Sequence, residues 1–214
     1  MLVYTISYYA ENEKGYPWST SRTVFVYDPT LSISMAGDYH VVLENSWRYG
    51  TIGGETGWYD FATWVPAYGY VSSVSMTFTE LCPGIYRCSD LIAGWYDQIR
   101  GYGANYPSYN FKMDALVMLS SDGTVSLLSS DFGYSSWGNH VSAFSDGSYD
   151  PATGIMKYYL EFSDCSLYLD MTLQNEAISV EEETPRCPYC GGTGCQGDCN
   201  SSSEESEEST ETEE

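Results

Sequence analysis

The sequence predicts an all-β fold, an antiparallel β-barrel or sandwich preceded by a separate hairpin and followed by a disordered acidic tail. Three observations carry this. Between Leu31 and Leu173 apolar residues recur at every second position in several segments, the period that buries one face of a strand and leaves the other in solvent. The alternating runs are short and are divided by Gly, Asp, Ser and Pro, the residues that make tight turns. No convincing apolar stripe of helical period accompanies them.

Residues 1–29 come first. Residues 3–10 and 19–28 read as β-branched and aromatic strands around the turn-rich stretch 11–17, a hairpin pattern. Two strands alone are marginal in water. The hairpin therefore either packs on the next domain or is the remnant of a sheet whose earlier strands precede Met1.

Residues 30–178 form the antiparallel domain. Val74, Met76 and Phe78 alternate with Ser75, Thr77 and Thr79; Phe111, Met113, Ala115, Val117 and Leu119 do the same around Lys112 and Asp114. Met156, Tyr158, Leu160 and Phe162 make a third run, and Leu167, Leu169, Met171 and Leu173 a fourth. Asp122-Gly123 supplies the positive φ angles of a tight hairpin turn, and residues 149–154 make another before Ile155. Such short strands need closure or a second sheet to shield their edges.

Residues 89–106 do not alternate and are dense in glycine and aromatics, which reads as a long ordered loop. Loops of that length in a compact domain are often functional. Trp95, Tyr96 and Tyr102 with Arg100, joined by Trp58 and Trp64, are the candidate stacking platform for a glycan or peptide. The competing reading makes Trp95, Tyr96 and Tyr102 a core cap over the open end of the barrel.

Charge excludes some partners. The chain of 214 residues has 30 acidic and 8 basic side chains, a net charge of -22, so binding to phosphate backbones or anionic headgroups lacks its driving force. Its longest apolar runs fall well short of the about 20 residues of a transmembrane helix. The N-terminus has no basic region, apolar core and cleavage site of a secretory signal.

Catalysis finds little support. His40 and His140 lack partners at catalytic spacing, and neither a Gly-x-Ser-x-Gly elbow nor a His-Glu-x-x-His helix occurs. Asp90, Asp97 and Asp131 are the carboxylates that a glycoside-hydrolase reading would use. The protein is read as non-catalytic.

The seven cysteines fall in three groups. Cys82 and Cys88 face each other across a turn as a disulfide in an oxidising compartment, or stay as two reduced buried thiols. Cys165 is a small structural side chain at a turn. Cys187, Cys190, Cys195 and Cys199 stand in CxxC-x4-CxxxC spacing with flexible glycines, a set able to wrap one structural zinc, or else a reduced thiol tail. Its first half resembles the CxxCxGxG unit of DnaJ-type zinc modules, with the second unit degenerate. The folded domain calls for no cofactor. Residues 201–214 are Ser, Thr and seven Glu with no apolar residue, so the region 179–214 is disordered beyond its cysteines and serves as a solvating spacer.

Two resemblances extend this reading. Tyr4, Ala10, Gly15, Arg22, Thr23, Val24 and Val26 resemble the last two strands of a bacterial Ig-like repeat, which implies a chain truncated at its N-terminus. Pro83-Gly84-Ile85-Tyr86, Ser89-Asp90, Gly94, Tyr96, Arg100-Gly101-Tyr102-Gly103, Trp137-Gly138 and Tyr149-Asp150-Pro151 resemble a β-rich domain of unassigned function in Bacteroidetes surface lipoproteins. There an Ig-like domain precedes the module, and some members accompany SusC/SusD-type uptake complexes. Ala93, where a glycine is expected, departs from that pattern, as do Cys82, Cys88 and the tail. The resemblance implies a cell-surface or outer-membrane location and an accessory role. That role is capture of a carbohydrate or peptide nutrient, or packing as a structural subunit on an outer-membrane transporter.

Overall fold

The computed structural model describes residues 2–69, 73–134, 136, 141–162 and 166–178. The candidate zinc ligands Cys187, Cys190, Cys195 and Cys199, the acidic tail, Cys165 and His140 lie outside the described residues.

The N-terminal pattern folds as a hairpin of β1 (Leu2–Glu11) and β2 (Pro17–Val26), in unbroken register from Leu2 opposite Val26 to Glu11 opposite Pro17. Its turn closes because the Asn12 side chain accepts from the amides of Lys14 and Tyr16, both at 3.0 Å, while Gly15 takes φ +80°. Opposed residues share a face, so Tyr4, Ile6 and Tyr8 line up with Val24, Arg22 and Thr20. Tyr4, Ile6 and Tyr8 are solvent-exposed.

The remaining strands build one curled antiparallel sheet. They are β3 (Gly37–Val41), β4 (Trp47–Ile52), β5 (Glu55–Asp60), β6 (Ser75–Cys82), β7 (Ile85–Cys88), β8 (Met113–Leu119), β9 (Val125–Phe132), β10 (Ala143–Asp150), β11 (Ile155–Phe162) and β12 (Leu167–Asn175). Their order is β10-β11-β12-β3-β6-β7-β8-β9, with β4 also paired to β12 and carrying β5. The four alternating runs of the sequence fall on β6, β8, β11 and β12. Met113, Ala115, Val117 and Leu119 are buried on β8, and Met156, Tyr158, Leu160 and Phe162 on β11.

The concave face is covered by helical segments that alternation alone does not announce. Helix α1 (Phe61–Tyr68) starts at Asp60, whose carboxylate accepts from the Thr63 amide at 2.7 Å, and stops at Gly69 with φ +69°. Phe61, Trp64 and Val65 face the core, the i, i+3, i+4 spacing of one helical face. The aromatic loop supplies a π-helical turn over Trp95–Ile99 and the short α2 (Tyr102–Asn105).

The proposed Cys82–Cys88 disulfide is overturned. Pro83-Gly84 makes a two-residue turn, so Cys82 lies opposite Ile85, whereas Cys88 lies opposite Phe78 further down the ladder. Both thiols are free, Cys88 buried and Cys82 half-buried. Residues on different rungs do not bring their Cβ atoms within disulfide reach.

Candidate functional site

The structure splits the predicted platform into three environments. Trp95 is 1% exposed, Trp64 2% and Tyr96 8%, so these rings have no free face for a ligand. Trp95 packs against Phe61, Trp64 and Tyr68 with centroids 5.3–5.9 Å apart. The Arg48 guanidinium lies 4.3 Å from the Trp95 centroid and 4.9 Å from that of Trp64, a cation–π contact strengthened by desolvation. This correction has a simple cause: the sheet is curled but not closed, and the loop's largest side chains fill the space it encloses.

Arg100 and Tyr102 sit half-buried at the rim. Arg100 donates to the hydroxyls of Tyr68 and Tyr102, each at 2.8 Å, and lies 4.4 Å from the Tyr68 centroid. Tyr102 stacks on Tyr96 and leans on Tyr106 and Phe111. Arg100 is therefore committed to holding the loop.

Trp58 lies elsewhere, on the convex face of the sheet. On β4 and β5, Arg48 pairs with Tyr59 and Tyr49 with Trp58; the first pair points toward Trp64, so the second points out. Tyr49 packs edge to face on Trp58 at 5.7 Å and on Tyr168 of β12 at 6.1 Å, and Trp58 lies 6.5 Å from Tyr159 of β11. Trp58 remains 44% and Tyr49 40% exposed, with Trp47 exposed beside them.

Carboxylates border these rings. Glu161 is opposite Tyr168, and Asp170 is opposite both Tyr159 and Trp47. The Tyr159 phenol is raised above its ordinary pKa, by partial burial first and then by Glu161, Tyr168 and Asp170. It stays a neutral donor and acceptor near anionic acceptors. Aromatic surface mixed with hydrogen-bonding groups makes this the candidate binding face.

Sequence reasoning found Trp58 but missed Tyr49, Tyr159 and Tyr168. The signal was their phase: each occupies the outward position of an alternating strand, where Thr, Lys or Glu is usual.

The three candidate carboxylates sit in different settings. Asp90 is fully buried and accepts from the Met113 amide at 2.9 Å and the Gly94 amide at 3.0 Å. Burial pushes its pKa up to about 7, against the opposing effect of those two amides. Asp97 is bound to Lys112 at 3.4 Å, and Asp131 is exposed on β9. Among the described residues no cluster of three or more His, Cys, Asp and Glu is able to hold a metal ion. No helix among them is long and apolar enough to cross a membrane.

A curled antiparallel sheet with an aromatic convex face and a plugged concave side defines the chain as a β-rich domain. Residues 28–175 match the family model of a C-terminal domain, and with the solved structure described next this match places the chain in a BT2262-like lipoprotein family. The crystal structure of the lipoprotein BT2262 from Bacteroides thetaiotaomicron is similar at 29% sequence identity and a TM-score of 0.51, over 81% of this chain and 75% of that one. No curated protein matches the chain.

Proposed function

We propose that this protein is a non-catalytic cell-surface accessory lipoprotein that captures a glycan on the convex face formed by β4, β5, β11 and β12. The observation that carries the reading is the joined set of exposed Trp58 and Tyr49 with half-buried Tyr168 and Tyr159, bordered by Glu161 and Asp170. Aromatic rings pack on the C–H faces of sugars, while phenols and carboxylates take their hydroxyl hydrogens. The lipoprotein relative supports a place at the cell envelope.

The test is a glycan array probed with the whole chain and with Trp58→Ala and Tyr49→Ala. Binding of one glycan class, lost in both variants, supports the reading and names the ligand class. A blank array from well-folded protein refutes glycan capture and turns the aromatic face into an interface for an uptake-complex subunit, to be sought by cross-linking in membranes.

A further inference from the structure

The two aromatic clusters of the domain differ in what lies over their rings. On the concave side the rings already hold cations: the Arg48 guanidinium lies over Trp64 and Trp95, and that of Arg100 over Tyr68 and Tyr102. Among the described residues no cation lies over Trp58, Tyr49, Tyr168 or Tyr159. These outer rings also converge. Trp58 is on β5 and Tyr159 on β11, with β4 and β12 between them, three strand steps or about 14 Å. Their centroids are nevertheless 6.5 Å apart, so the β4–β5 hairpin brings Trp58 over the outer side of β11 and β12.

The charge beside these rings is negative. Cross-strand pairing sets Glu161 opposite Tyr168, and Asp170 opposite both Tyr159 and Trp47. Among the described residues neither carboxylate is in a salt bridge. Both help, after burial, to hold the Tyr159 phenol above its ordinary pKa. Strands β4, β5 and β12 contain a single basic residue, Arg48, and it points inward to Trp64 and Trp95. On β11 the basic residue is Lys157, opposite Thr172, one outward position beyond Tyr159 on the side away from Glu161. The face therefore joins electron-rich rings to two carboxylates that no side chain neutralises.

We infer that the glycan taken by this face carries free amino groups, protonated in the complex. The inference rests on the glycan-capture reading and names the class of sugar. A pyranose ring lies on Trp58 and Tyr49, and its ammonium faces the Tyr168 and Tyr159 rings and the carboxylates of Glu161 and Asp170. Cation–π attraction and charge-assisted hydrogen bonds then act on the same group. A uronic-acid or sulfated glycan meets like charge there, in a chain of net charge -22. A neutral glycan keeps the stacking and forgoes the cationic contacts.

The test is an array of oligosaccharides matched in backbone and linkage and differing at one carbon, which bears a hydroxyl, an acetamide or a free amine. The glucose, N-acetylglucosamine and glucosamine series serve, with the corresponding galactose series and uronic-acid oligomers beside them. The whole chain, Trp58→Ala and the double variant Glu161→Gln/Asp170→Asn are compared in weakly acidic buffer, where the sugar amine is protonated. The expected result is an affinity for the free-amine member about tenfold above its hydroxyl and acetamide counterparts, the size of one cation–π contact with one exposed ion pair. The double variant should lose that preference, and Trp58→Ala should lose binding to every series. Because Trp58→Ala keeps the charge of the chain, undiminished binding of amines to it would show attraction to the anionic protein at large and overturn the inference. A neutral or acidic series that binds as tightly as the amine series, or a preference that survives in the double variant, overturns it too and leaves glycan capture standing. Binding of no series refutes glycan capture and this inference with it. Should the double variant fail to fold, the ranking of the three matched series on the unaltered chain decides the matter.

Discussion

The Ser46 hydroxyl stands in for a backbone rung opposite Thr172, donating to its carbonyl at 2.9 Å and accepting from its amide at 3.0 Å. Strand β12 pairs with β3 at one end and β4 at the other, and the chain bends between them through a 3-10 turn at Leu43–Asn45. A bend there would leave the Thr172 amide buried without a partner, and Ser46, fully buried, prevents that. Ser46→Ala is expected to cost about 1–3 kcal/mol, the penalty of an unsatisfied buried group. Chemical denaturation checks it; a loss below the error of the fit would show that Thr172 finds another partner.

Trp95 and Trp58 should respond in opposite ways to truncation. Trp95 is enclosed by Phe61, Trp64, Tyr68 and Arg48, so Trp95→Ala should lose about 3–5 kcal/mol as a cavity forms. Trp58 is exposed, and Trp58→Ala should change stability by about 1 kcal/mol or less while affecting ligand binding. Thermal and denaturant unfolding of both variants separates the roles. Equal losses would mean that the convex rings are as structural as the concave ones.

The strands were legible because alternation is a local signal, and β6, β8, β11 and β12 carry it. Helix α1 was written in the same letters, Asp60 as cap, Phe61, Trp64 and Val65 as one face and Gly69 as stop, but its eight residues are too few to stand out as a period. The site was harder to read. Whether an aromatic residue is core or surface depends on what encloses it, and Trp95 and Trp58 differ in that alone. The joining of Tyr49 to Tyr168 rests on which strand lies beside β12, a long-range pairing that no local pattern records. For Cys82 and Cys88, the two-residue turn fixed the register that keeps them apart.

Asp90 should make stability depend on pH. In the unfolded chain its carboxyl titrates near the ordinary 3.8, and in the fold at about 7 because of burial. Between those values the folded protein keeps a proton that the unfolded chain has released. Raising the pH therefore favours unfolding. The contribution is fully present below about pH 4 and is lost as pH rises through about 7. In Asp90→Asn the amide oxygen accepts from only one of the Met113 and Gly94 amides, so the variant should be less stable at low pH and show a flatter dependence. Melting curves from pH 5 to 8 test this: the advantage of wild type over variant should shrink as pH rises, and a constant advantage would refute the assignment.

Gly94 is the position where the aromatic loop tolerates least. It adopts φ +67° immediately after Ala93 at φ +54°, two successive left-handed residues that turn the chain from the Asp90 clamp into the Trp95–Ile99 turn. A Cβ on Gly94 would collide with the Val74 side chain and press on Gln98, so backbone strain and overpacking coincide. Left-handed backbone costs a non-glycine residue about 1–2 kcal/mol, and overpacking typically adds about 1–3 kcal/mol. Gly94→Ala should therefore destabilise by about 2–5 kcal/mol. Ala93→Gly, which relieves the neighbouring strain at the loss of one buried methyl worth about 0.8 kcal/mol, should be close to neutral. Denaturant midpoints of the two variants provide the comparison. Equal destabilisation by both would mean that side-chain packing, rather than the backbone conformation of this turn, fixes how Trp95 enters the core.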